Sequence, residues 1–152
     1  MRAYYVALVA GVVLIISAFL PWVHIGGVAL RGFPDTGGIW VIALGLLTLT
    51  LASLSIYTRR NSRHPLLVVG LITLGIFVLA YNWMARTARD RAWARTQAVA
   101  IVDDVAALPP PSTSVGVGIY TGLAASIVLV LFGLTIVVKR VRAPYAIPDD
   151  DD

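Results

Sequence analysis

VGVGIYTGLAASIVLVLFGLTIVV, residues 115–138, carries no Asp, Glu, Lys, Arg or His. A helix rises 1.5 Å per residue, so ~20 apolar residues cover the ~30 Å of hydrocarbon in a bilayer. Lipid offers the backbone no hydrogen-bond partner, so a run placed there closes its own bonds as a helix, despite its many Val, Ile and Thr. Tyr4–Val23, Gly38–Tyr57 and Leu66–Met84 have the same character. The sequence predicts an all-α fold: an integral membrane four-helix bundle with spans at 4–23, 38–57, 66–84 and 115–138.

Composition agrees. Hydrophobic residues are 59% of the 152 and charged residues 13%, where soluble chains hold about 25% charged. A soluble domain this small has too much surface for its volume to hide that apolar area in one core. The absence of cysteine excludes disulfides and thiolate chemistry. The net charge of +4 comes from basic residues that flank the runs, so it reads as a topology signal, and no nucleic-acid partner is expected.

Of the twelve Lys and Arg, Arg2, Arg59, Arg60, Arg63, Lys139, Arg140 and Arg142 flank one side of the runs. Arg31, Arg86, Arg89, Arg91 and Arg95 flank the other. The positive-inside rule places the first group, and with it both termini, in the cytoplasm of a plasma (inner) membrane. The first run is read as a retained helix, since no small-x-small cleavage site follows it. Tyr4, Tyr5, Trp22, Trp40, Tyr57, Tyr81, Trp83 and Tyr120 sit at or near the run ends as an aromatic belt. Trp22, Trp40 and Trp83, with Trp93 beyond them, are the expected interface anchors.

Between the runs, His24–Gly37 is Gly-rich and contains Pro34 and Asp35, which reads as an irregular loop or a short hairpin. Segment 85–114 is the only sizeable part outside the membrane. Ala85–Leu108 is Ala-rich and free of Gly and Pro, so it should form one extracytoplasmic helix, stopped by Pro109, Pro110 and Pro111. Ala85, Ala88, Ala92, Val99, Val102 and Ala106 share a stripe that makes it amphipathic. It either extends the third helix as a rod or bends along the membrane surface, and the interfacial Asn82-Trp83 pair favours the bend. Residues 144–152 read as a disordered acidic cytoplasmic tail, leaving 1–143 as one four-pass domain.

Gly118-Ile-Tyr-Thr-Gly122 is a GxxxG, extended by Ser126 at the next four-residue step. Ala7 and Gly11 form a weaker small-residue face in the first run. Such faces serve packing within a bundle or contact with a partner, and packing is the commoner use. His24 and Asp35 fall short of the three or four ligands a metal needs. Asp103 and Asp104 are adjacent, so on a helix they point ~100° apart and do not converge. No ionisable residue lies within a run, where proton relays and ion-coupled carriers place theirs. No catalytic, cofactor-binding or metal-binding residue is expected, and an enzyme is not.

Ser17-Ala-Phe-Leu-Pro-Trp22, Gly32-Phe-Pro-Asp-Thr-Gly-Gly38 and Val115-Gly-Val-Gly-Ile-Tyr120 together resemble a group of small bacterial, actinobacterial-type four-helix membrane proteins, chromosomal or phage-borne, of unknown function. The group looks alike in a Phe-Leu-Pro-Trp exit, a Gly-rich first outer loop and a Val-Gly-x-Gly-[Leu/Ile]-Tyr start to the last helix. The resemblance implies fold and location only. The expected function is non-enzymatic: an accessory or scaffold subunit of an envelope complex, acting through a membrane protein partner or as a homo-oligomer. Alternatives are a phage- or prophage-encoded exclusion or defence factor, and an oligomeric pore or small-solute carrier.

Overall fold

In the computed structural model, which describes residues 4–58, 63–103, 109 and 111–141, the first helix is short. α1 spans Tyr4–Phe19, and the chain passes into strand β1, Pro21–Ile25, because Pro21 has no amide hydrogen for the helix ladder. Gly26 and Gly27, with φ of 52° and 86°, reverse it into β2, Val28–Arg31. A two-residue hairpin turn with positive φ at both positions matches the twist of its strands, and glycine takes that conformation without strain.

α2 follows at Thr36–Thr58 and α3 at Arg63–Leu79. A π-turn, Ala80–Met84, links α3 to α4, Ala85–Asp103. Together they make one apolar-to-polar helix, continuous over the 38 residues His64–Ile101, about 57 Å long at 1.5 Å per residue. The wide turn shifts the hydrogen-bond register, and the Asn82 side chain donates to the Val78 carbonyl at 2.8 Å. Strand β3, Thr113–Val115, precedes α5, Val117–Val141. β1 lies between β2 and β3 in an antiparallel sheet that caps one end of the bundle.

α1 packs on α2 and α5, and α3 packs on α5, whereas α2 and α3 meet sparsely. Glycines set the close approaches. A Cβ on Gly45 would stand 2.6 Å from Ile15 of α1, and one on Gly133 would stand 2.5 Å from Leu67 of α3. A Cβ on Gly122 would overlap the Phe77 ring. The outside of the bundle is as apolar as the inside: Val9, Leu46, Leu71, Ile127 and Leu131 are all exposed. Three helices are long and apolar enough to cross a membrane, at Thr36–Thr58, His64–Ile101 and Val117–Thr135. α1 is apolar but shorter, at 16 residues.

Three expectations change. The all-α reading omits the three-stranded sheet: β1–β2 is the short hairpin that the first loop allowed, but β1–β3 joins residues about ninety positions apart and leaves no periodic signal in the sequence. The first run does not stay helical to 23, because residues 21–25 become β1. The third helix continues through the π-turn into α4 without a break in helical structure, where the Asn82-Trp83 pair favours a bend along the membrane surface. On α4, Ala88 and Ala92 of the expected stripe are half-buried, while Val99 is exposed. Val102 and Ala106 of the same stripe, and the acidic tail 144–152, lie outside the residues whose side chains are described.

Phe77 is fully buried and cannot move away from Gly122. Gly122→Ala is therefore expected to destabilise the bundle by about 1–3 kcal/mol through overpacking. Gly75, whose Cβ would meet nothing within 4 Å, should accept alanine without loss. Thermal unfolding of both variants in mild detergent checks the contrast.

Candidate functional site

Trp22 occupies the junction between the sheet and the helices. The side chain is 1% exposed. Its indole Nε1 donates to the Ser17 carbonyl at 2.9 Å, a group that a helix C-terminus leaves without an intrahelical partner. Its ring meets Phe77 of α3 at a centroid distance of 5.3 Å. Three glycines make the room. A Cβ on Gly118 would stand 2.6 Å from Trp22 Cδ1, one on Gly37 3.3 Å from Cζ3, and one on Gly32 would overlap the ring. Backbone bonds lock the same layer: Gly116 N–H donates to the Trp22 carbonyl and Phe33 N–H to the Ala18 carbonyl, both at 2.7 Å.

Beside this junction a cleft runs between the start of α2 and the π-turn. Its lower part, about 340 Å³, is lined by Trp40, Ile76, Leu79, Ala80 and Trp83, with Trp22 at its back. Its upper part, about 860 Å³, is lined by Arg31 and Phe33 of the first loop and by Ala88 and Arg91 of α4. Asp35, Met84 and Thr87 line both. Both volumes fall in the ~300–1,000 Å³ range of small-molecule sites. The cleft lies where α2 and α3 meet only sparsely and where the π-turn widens the helix. π-turns recur at functional sites.

The sequence-derived candidates land in different places. Ala7, Gly11, Gly118, Gly122 and Ser126 are all buried within this one chain, facing α2, Trp22 or Phe77 where contacts are defined. The GxxxG thus serves internal packing. Trp22, expected as an anchor at the outer interface, is instead interior, because the glycines on three other segments open a space its ring fills. Trp40, Trp83 and Trp93 are exposed at 60%, 66% and 46%. Arg59, Arg60 and Arg142 lie outside the described residues, and Arg63, Lys139 and Arg140 are described only as backbone in α3 and α5.

His24 is half-buried in β1 opposite Ala29 and Ser114, while Asp35 faces the cleft. Among the described residues no three His, Asp or Glu side chains converge. The buried hydroxyls of Ser17, Thr48, Thr73 and Ser126 donate to carbonyls three or four residues back in their own helices. Sequence reasoning missed that Arg31 and Arg91 line one cleft. Nothing in the sequence signals it, since the two arginines lie sixty residues apart on elements whose approach depends on the rod. Comparison with protein families, with curated proteins and with solved structures finds no match for this chain.

Gly32→Ala should lower stability when Trp22 is present and cost much less in a Trp22→Leu background. Unfolding of the two single variants and the double variant measures the coupling, expected at about 1 kcal/mol or more for groups in direct contact. Additive effects would dissolve the socket.

Proposed function

We propose that the chain is a non-enzymatic, four-pass membrane protein with both termini in the cytoplasm, and that it works by protein–protein contact through α4 as an accessory or scaffold subunit. Three helices have the length and apolarity for a span. α1 covers only about 24 Å by its 16 residues, but β1 continues it with Trp22 and Val23 buried. Non-helical backbone is tolerated at membrane depth where protein covers it and its hydrogen bonds are made, and β1 is paired on both edges. The apolar exterior of the bundle supports the same reading.

The observation that carries the contact reading is the rod. α4 continues α3 through the π-turn and presents Trp93, Val99 and Ile101, the last 79% exposed, among exposed arginines. Large exposed apolar side chains on a polar helix are what a partner would cover. With the GxxxG consumed internally, α4 is the better candidate for that role. The pore reading gains no support, because the buried hydroxyls named above already donate within their own helices.

Because the chain has no cysteine, single cysteines report topology cleanly. Thr96→Cys should react with a membrane-impermeant maleimide on intact cells, and Asn61→Cys only after lysis; the reverse pattern inverts the topology. A photo-crosslinking residue at Ile101 should capture one defined protein in native membranes, lost when Trp93 is changed to Asp. The same residue at Val128, on the exposed side of α5, should not capture it. Adducts absent at Ile101, or identical at both positions, would sink the contact reading.

A further inference from the structure

The cleft beside Trp22 has an apolar end and a cationic end that share one wall. Ile76, Leu79 and Trp40 belong to the membrane runs and line the first. Arg31 and Arg91 belong to the segments beyond the runs and line the second. Met84 and Thr87 border both, so a single molecule can occupy the two ends at once. From these features we infer that the cleft binds one anionic glycerophospholipid, with an acyl chain between Trp40 and Trp83 and the phosphate between Arg31 and Arg91. The inference rests on the membrane-spanning part of the proposed function and is independent of the contact role of α4.

Polarity, access and charge each select this ligand class. From apolar to cationic, the cleft runs from the spans toward the sheet end, the direction in which a lipid of that leaflet points its headgroup. Entry is lateral, through the gap left where α2 and α3 barely meet. The lining holds two arginines against Asp35, an excess of one positive charge, which one phosphate diester neutralises. Guanidinium groups suit that partner because their planar forks match phosphate oxygens in bidentate geometry. A free anion would leave the Trp40–Trp83 end unfilled, and a purely apolar segment would leave both arginines unpaired.

The test is native mass spectrometry of the full-length protein in mild detergent, offered phosphatidylglycerol, phosphatidylcholine or inorganic phosphate in separate samples. One phosphatidylglycerol per chain should be retained in preference to phosphatidylcholine. The double variant Arg31→Gln/Arg91→Gln should retain it about ten-fold less, the equivalent of ~1.4 kcal/mol, with unfolding temperature unchanged because both side chains are exposed. The control Arg86→Gln/Arg95→Gln, on α4 outside the cleft, should retain it fully. Equal retention of the two lipids, equal loss in the control, or retention of phosphate without lipid would each overturn the assignment. Release of the wild-type protein from membranes by alkaline carbonate would separately overturn the membrane-spanning reading on which it stands.

Discussion

The seating of one indole among glycines holds this molecule together. The bundle is apolar on its outside as well as its inside, and helices of that kind rely on close van der Waals fit to associate. Trp22 makes that fit at the level where α1 ends, the hairpin begins, α5 starts and α3 turns into the π segment. Gly32 and Gly118 are required because any side chain there would take the volume of the ring, and Gly37 lets the ring edge approach closely. Phe77 closes the remaining side and is itself held by Gly122. The indole N–H then satisfies a carbonyl at the end of α1, so a helix terminus is capped from inside the protein.

The π-turn connects that packing to the outer face. Because it widens the helix just after Leu79, Trp83 and Met84 swing toward α2 and border the cleft, while α4 continues as a rod whose Ala88 and Ala92 rest half-buried. Ala88 lines the cleft beside Arg91. One irregularity in a single helix therefore sets the width of the cleft, the placement of its charges and the direction of the exposed apolar residues at Trp93 and Ile101.

The helical runs were legible because the rule for a helix able to cross a membrane needs only local information: uncharged length. It placed the bulk of all four helices. The rule fails where the determinant is a partner far along the chain. Trp22 follows Phe-Leu-Pro and reads as an interface anchor; only the positions of Gly32, Gly37 and Gly118 in space make it interior. Ser112-Thr113-Ser114 reads as a polar linker after three prolines, yet Thr113–Val115 is a strand because β1 offers it an edge. The GxxxG was visible but mute, since small-residue faces look the same whether they meet the same chain or another. Asn82-Trp83 suggested an interface and a bend, when the amide of Asn82 in fact supports a π-turn that keeps the helix running.

The central position of β1 also dictates an order of events at the ribosome. β1 and β2 emerge together and can pair as soon as the first turn is made, but the other edge of β1 waits for Thr113–Val115, about ninety residues later. Throughout that interval the nascent chain presents an unzipped strand and a tryptophan with only part of its cradle. The late arrival of Gly116 and Gly118 closes both at once. The hairpin can form early, but the sheet and the seat of Trp22 are complete only once α5 is in place.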